Sequence, residues 1–363
     1  MRKIRIKDIA EKANVSIGTV DRVLHKRGEV AEETKNKVLS ILKELNYEPN
    51  VLASLLSSQK KWKVACIIPA HKSKEYWNMP VKGMEKAYSE VQSYGMEPVF
   101  FYFNLHNEKT FVDKTKLVLK SNFDAVILSP YFFKESIDFI KVLNHREIPY
   151  IFIDSNIPEA NCMAFFCQNA FDSGLLAANL INIQKADAQQ VLIVNIANNN
   201  VNSKHFYDRT EGFMSYFRNK DDKNALPVQI VQVNESNQEF VDKELIHYFR
   251  SEKKIRGIFV SNSRSFYVAN FLEKNKIQDV VLIGYDLIQS NIEQLEKGNI
   301  QYLISQQPFQ QGYSAIMTLY RSLIFNKKVQ CENFSQIDII TKQNFKYYKE
   351  LETIKNDSVF IAV

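Results

Sequence analysis

The sequence predicts an all-α helix-turn-helix head followed by an α/β body, in which two doubly wound parallel-sheet lobes enclose a cleft. Three observations carry this. Residues 6–24, IKDIAEKANVSIGTVDRVL, hold two short apolar-striped segments separated by a turn. From Lys63 onward, apolar runs of strand length alternate with amphipathic stretches of helix length, as in sheets covered by helices on both faces. The excess positive charge lies entirely at the front. Residues 1–63 hold 14 Lys/Arg and 8 Asp/Glu, whereas the other 33 basic and 33 acidic residues cancel.

In the head, Ile6, Ile9, Ala10 and Ala13 recur at helical spacing and stripe the first helix. Asn14 falls where the helix must stop, and it tolerates the left-handed conformation that a tight turn needs. Ser16 is a good N-cap for a second helix, whose buried face is Val20, Val23 and Leu24. Ile17, Gly18, Asp21, Arg22 and His25 are then left outward. An exposed second helix with a cationic face is what a helix-turn-helix places in the major groove of DNA. The front-loaded charge agrees with a polyanion-binding module. A third helix is expected over 30–45, covering the first two with Val38, Ile41, Leu42 and Leu45. Glu32 and Glu33 suit its N-terminal dipole.

This stretch resembles the DNA-binding domain of the LacI/GalR transcription regulators. The matching residues are Ile6, Asp8, Ile9, Ala10, Ala13, Val15, Ser16, Thr19, Val20, Val23 and Leu24, with Asn46-Tyr47 and Pro49-Asn50 following. The resemblance implies a DNA-binding domain over 1–48 and a hinge helix with linker over 49–62. It also implies that Leu56, after the small Ala53, wedges into the minor groove, with Leu55 as the competing leucine. Arg22 is the candidate for reading guanine acceptors and Ile17 for thymine methyls. Ser16, Thr19 and His25 are placed for phosphates. Two residues depart from the family: Ala31 stands where Ser or Thr usually caps the third helix, and Asp21 where Ser is usual.

In the body, VACIIPA (64–70), PVFFYF (98–103), DAVILSP (124–130) and PYIFID (149–154) are buried-strand runs, with helices around 78–94, 108–121 and 134–146. QVLIVNI (190–196), PVQIVQV (227–233), GIFVSN (257–262), VVLIGYD (280–286) and QYLISQ (301–306) repeat the theme. Ligands of open parallel sheets sit at the carboxyl ends of the strands. Polar residues gather there: Asp154, Asn262, Asp286 and Gln306 close four of the runs. Arg209 opens a helix as Arg-x-x-Gly-Phe, and Tyr76 and Trp77 follow the first strand. A flat aromatic suits the C–H face of a sugar, and Asp, Asn, Arg and Gln pair with its hydroxyls.

This body is similar to the type I periplasmic sugar-binding fold of the LacI/GalR effector domains, through IGYD, Gln306-Gln307-Pro308 before Gly312-Tyr313, and QNAFDSG. The resemblance implies an effector and dimerisation domain over 63–345. Its N-lobe is expected at about 63–160 and 307–335, its C-lobe at about 161–306 and 336–345, and 346–363 form an extension. Asp154-Ser155 and Asn262-Ser263 replace the family's common Asp-Arg and Asn-Asp, which leaves fewer charges in the cleft. The surplus apolar residues Val81, Met84, Ala87, Tyr88 and Val91 suggest that their helix carries the dimer surface, or else that they are core.

The expected partners are operator double-stranded DNA, a small-molecule effector of the sugar class and a second copy of the chain. No cofactor, metal or membrane is expected. Glycine numbers only 10, and no phosphate loop, nucleophile turn or metal-protease motif occurs. The six histidines are scattered, so an enzyme is the remote alternative. Cys66, Cys162, Cys167 and Cys331 lack metal-ligand spacing and suit reduced thiols. No apolar run approaches a membrane span, and the first residues lack a signal-peptide core, so a cytoplasmic regulator is expected. A degenerate or sugar-phosphate-specific cleft is the nearer alternative.

Overall fold

Apolar residues three and four apart build the first of two units, residues 1–60. The computed structural model describes residues 4–24, 28–45, 60–184, 190–197, 204–218, 227–234, 237–250 and 254–348. His25, Ala53 and Leu56, with the rest of the expected hinge helix, lie outside them. The helices are α1 (Ile6–Ala13), α2 (Ile17–Leu24) and α3 (Glu32–Glu44). Ile9, Ala10, Ala13, Val20, Val23, Val38 and Ile41 form their common core. The Arg5 N–H donates to the Asp8 carboxylate at 2.8 Å and caps α1. Asn14 ends it in the left-handed region at φ 55°. Ala31 begins α3 with no side-chain cap, as its methyl dictates.

The second unit, residues 61–363, contains two six-stranded sheets among the described residues. The first holds β1 (Trp62–Pro69), β2 (Met96–Phe103), β3 (Ala125–Leu128), β4 (Tyr150–Asp154), β5 (Ala164–Gln168) and β11 (Glu332–Ser335), in the order β11-β5-β4-β3-β1-β2. The second holds β6 (Gln190–Ile196), β7 (Val228–Val233), β8 (Ile255–Val260), β9 (Val281–Tyr285), β10 (Tyr302–Ser305) and β12 (Asp338–Ile340), in the order β12-β10-β9-β8-β6-β7. Pairing is parallel except between β10 and β12. The nine expected strands are all present. Most are legible because their apolar runs are buried on both faces, whereas β2 and β7 lie at sheet edges and are marked by aromatic and β-branched residues.

Three strands were not expected, and one corrects a boundary. β5 pairs with β4 in the first sheet, so the first lobe runs past residue 161. The chain therefore crosses between sheets after β5, after β10 and after β11. One side chain joins these crossings: Gln168 Nε2 donates to the carbonyls of Ser305 at 2.9 Å and Gln336 at 3.3 Å. Beyond β12, Phe345 and Tyr348 pack against the core of the second lobe, so the chain past Asn344 is partly built into the fold.

The helix α4 (Asn78–Val91) buries Val81, Met84, Ala87 and Val91 within the chain, chiefly along α12 (Pro308–Phe325). These four are core, not a free dimer surface. The helices meet nearly backbone to backbone. A Cβ on Gly83 would lie 2.0 Å from the Phe309 carbonyl, and one on Gly312 would lie 1.9 Å from that of Pro80. The second lobe repeats the device between α7 (Ala170–Gln184) and α8 (Lys204–Arg218). There a Cβ on Gly174 would lie 2.0 Å from the Arg209 carbonyl, and one on Gly212 would lie 1.9 Å from that of Phe171. Backbone carbonyls cannot swing aside, so both helices must separate. Gly212→Ala and Gly312→Ala should each cost roughly 2–3 kcal/mol by urea titration, as overpacked contacts do. A loss below about 0.5 kcal/mol, the size of an ordinary surface change, would show that these helices slide apart freely.

Candidate functional site

On the first unit, the second helix is held by its own N-terminus. Ser16 Oγ accepts from the Thr19 N–H at 3.1 Å and contacts Thr19 Oγ1 at 2.9 Å. Val20 and Val23 point into the core, which leaves Ile17, Gly18 and Arg22 on the exposed face. Ile17 is 52% exposed, unusual for so apolar a residue unless something covers it. Asp21 and Thr19 are half-buried beside it. Gly18 has only Ser16 Oγ, at 3.7 Å, near the position a Cβ would take. Nothing in the head requires glycine there.

In the second unit, a cleft of about 740 Å³ opens between the carboxyl ends of the two sheets. All seven residues proposed from the sequence, Tyr76, Trp77, Asp154, Arg209, Asn262, Asp286 and Gln306, line it. The two aspartates occupy matching places, at the end of β4 and just after β9. Both are left-handed, with φ of 71° and 67°. Aspartate tolerates that region better than most residues, and such strain collects at ligand sites. The Asp154 N–H is held by Gln311 Oε1 at 2.8 Å, and that of Asp286 by the Ile304 carbonyl at 3.0 Å.

Arg209 is the centre of the second-lobe wall, and only 3% of it is exposed. Nη1 donates to the Ser261 carbonyl at 2.7 Å and Nη2 to Gln306 Oε1 at 2.6 Å. Gln306 Nε2 in turn reaches both Asp286 carboxylate oxygens at 3.0 Å. The guanidinium lies 3.9 Å from the centre of the Tyr285 ring, a cation–π contact, and Tyr285 shares a 2.8 Å hydrogen bond with Ser173. Nε alone has no acceptor, although it is buried. A buried N–H is rarely left so in a working protein.

Across the cleft, the Tyr76 hydroxyl donates to Asp154 Oδ1 at 2.7 Å. Burial, reinforced by Asp154 and Asp286, holds that phenol well above its usual range, so it stays a donor. Burial pushes the Asp154 carboxyl up to about 6, against the opposing pull of the Tyr76 hydrogen bond and the Arg209 charge. His205 Nδ1 lies 4.0 Å from Asp154 Oδ2. Burial and Arg209 keep this imidazole well below its usual range, so at neutral pH the contact is not an ion pair. Trp77 is largely core, meeting Tyr76 edge to face at 5.2 Å. Asn262 is spoken for: its amide donates to the Ile196 carbonyl at 2.7 Å and accepts from the Arg264 N–H at 3.1 Å.

The sequence missed His71, His106, Tyr131, His205, Phe206 and Arg264, which also line the cleft. The histidines look scattered along the chain because each enters from a different loop or helix. His205 could have been found, since it stands one helical turn before Arg209 on the same face. Among the described residues, no group of three or more His, Cys, Asp and Glu could hold a metal.

A bacterial lacI regulatory family pattern matches residues 5–50, and a periplasmic binding protein domain matches residues 64–328. A crystal structure of a LacI transcriptional regulator from Bacteroides fragilis is 30% identical, with a TM-score of 0.75, over 80% of this chain and 100% of that one. The chain belongs to the LacI family of bacterial regulatory proteins. Two further relatives span most of this LacI-family chain. The HTH-type transcriptional regulator RegA of Clostridium saccharobutylicum is 27% identical over 77% of it and 82% of its own length. The ribose operon repressor of Lactococcus lactis subsp. lactis (strain IL1403) is 26% identical over 87% and 90%. A glucose-galactose binding protein from Geobacillus stearothermophilus, at 19% identity and a TM-score of 0.67 over 78% of this chain and 99% of its own, shares the fold of the body. As a LacI-family protein the chain is a DNA-binding transcription regulator with a ligand cleft, and not an enzyme. No helix among the described residues is long and apolar enough to cross a membrane.

Two expectations follow for this LacI-family site. Alanine at Gly18 meets no clash and favours the helix by about 0.8–1 kcal/mol. Gly18→Ala should therefore raise the melting point and, if this exposed face is the one that meets DNA, weaken binding to a selected DNA site by adding a methyl there. Tighter DNA binding by the variant would remove Gly18 from the interface. The second concerns pH. The folded chain holds the Asp154 proton more tightly than the unfolded chain, so this group stabilises the fold below about pH 4, and that gain is lost as pH rises through about 6. A protonated carboxyl loses acceptor capacity. Ligand affinity should thus fall as pH drops below about 6, and Asp154→Asn should bind more weakly with a flat profile. Calorimetric titration at several pH values checks this, and a flat wild-type profile would remove Asp154 as an acceptor.

Proposed function

We propose that the chain is a homodimeric, cytoplasmic repressor of sugar genes, released from or recruited to its operator by a sugar bound in the cleft. The observation that carries this is the pairing of two aspartates, one from each lobe, with a buried arginine whose Nε lacks an acceptor. Hydroxyl groups, each both donor and acceptor, satisfy such a mixed set of buried groups at once. Tyr76 offers the aromatic face that a sugar's C–H surface needs. Asp154 and Asp286 hold the hydroxyls from opposite lobes, so binding favours the closed arrangement. Arg22 and Ile17 read base edges of a pseudo-palindromic operator, while Ser16, Thr19 and His25 meet phosphates. Ala53 and Leu56 meet the minor groove. The relatives' names support a sugar effector, since one is a ribose and another a sucrose operon repressor.

Coupling of this kind is reciprocal: a sugar that weakens operator binding is itself bound less tightly by the operator complex. The test is a thermal-shift screen of pentoses, hexoses, sugar acids and sugar phosphates on the full chain. A ligand at about 100 times its Kd adds roughly 2.7 kcal/mol to the folded state. That moves the melting point of a body this size by roughly 2 °C or more. Arg209→Ala should abolish the shift and leave operator binding in place. An Arg209→Ala protein that folds and still responds to the same sugar would overturn the assignment.

A further inference from the structure

Cys162 and Cys331 lie 169 residues apart in sequence, yet their sulfurs are 4.0 Å apart. We propose that these two cysteines are a thiol-oxidation site that closes to a disulfide under oxidising stress and reopens when reduced. The approach is built into the sheet. Cys162 stands two residues before β5 and Cys331 one residue before β11, and these strands pair in parallel with Phe165 opposite Glu332. The Phe165 N–H donates to the Cys331 carbonyl at 2.8 Å, and the Cys331 thiol to the Cys162 carbonyl at 3.6 Å. Both backbones are thus held while the two sulfurs face one another. Contracting a 4.0 Å contact to a bond of about 2.05 Å needs side-chain rotation and a small shift of the edge strand.

The two thiols have different duties. Cys331 is exposed and Cys162 half-buried, whereas Cys66 and Cys167 are buried. Burial and the neighbouring Cys331 sulfur push the Cys162 thiol up to about 12, so it is the poorer first nucleophile. With a low-molecular-weight disulfide as oxidant, Cys331 loses its proton to solvent and its thiolate attacks one sulfur. The small disulfide bond breaks, one small thiol leaves, and Cys331 carries a mixed disulfide. Cys162 then loses its proton and attacks the Cys331 sulfur, expelling the second small thiol. Two protein thiols are oxidised, and one small disulfide is reduced to two thiols. The new bond fastens β11 to the approach of β5, the strands from which two of the three crossings between lobes depart. In a reducing compartment the pair rests open, and intracellular disulfides of this sort are transient and sensory.

The test is to treat the full chain with oxidised glutathione, block free thiols with N-ethylmaleimide, and map the peptides by mass spectrometry. The expected product is a Cys162–Cys331 linkage, lighter by the two thiol hydrogens and reversed by dithiothreitol, with Cys66 and Cys167 unlinked. Its melting point should rise, because the bond constrains the unfolded chain. Cys162→Ser should trap glutathione on Cys331, and Cys331→Ser should form neither product. A wild-type chain that keeps a stable glutathione adduct on Cys331 with Cys162 free, that links another cysteine pair, or that does not react would overturn the proposal.

Discussion

A guanidinium removed from water costs several kcal/mol unless its charge and its N–H groups are met, and the second lobe is arranged around meeting the Nη groups of Arg209 while Nε is left with no acceptor among the described residues. Three successive loops supply the network, Asp286 joining it through Gln306. The Ser261 carbonyl follows β8, Asp286 follows β9 and Gln306 follows β10, while Tyr285 presents its ring from β9. Gln306 bridges two oppositely charged groups: its oxygen accepts from the arginine and its amide donates to the aspartate, so its orientation is fixed. The wall is thereby preorganised before any ligand enters, which spares a ligand the cost of ordering it. Even the helix that carries Arg209 is brought in by glycines, since Gly174 accepts the Arg209 carbonyl at a distance no side chain would allow.

The regular part of this architecture was legible because burial on both faces leaves little freedom in residue choice. VACIIP and QVLIVNI can hardly be anything but central strands. The strands that escaped notice lack that signature. β11 alternates exposed and half-buried residues at a sheet edge, β12 is three residues long, and β5 follows β4 with no helix between them, so it breaks the strand–helix alternation by which the others are read. Because β5 pairs with β4, the lobe boundary lies later in the chain than the strand–helix alternation implies. For Val81, Met84, Ala87 and Val91 the core alternative holds, because a second helix from far along the chain covers the face that a sheet would have left open.

The site was legible to the extent that topology, rather than spacing, defines it. Asp154, Asp286 and Gln306 could be chosen because each closes a strand, and strand ends of parallel sheets converge. His71, His106 and Arg264 satisfy the same rule and were passed over because metal and triad patterns are sought as spacings within one segment. Two glycines from the fragments that carry the family resemblance, and one from Arg-x-x-Gly-Phe, have a packing cause. Gly174, Gly212 and Gly312 each sit where two helix backbones touch. Asn262 shows the converse, a polar strand-end residue whose side chain is consumed by holding its own loop.

The single amide of Gln168 has a mechanical consequence. Three separate connections between two bodies would ordinarily permit bending, twisting and shearing in several combinations. Gln168 Nε2 pins the other two connections to its own, so the three act as one spindle rather than three threads. Sliding any one connection past the others would break that amide's hydrogen bonds first.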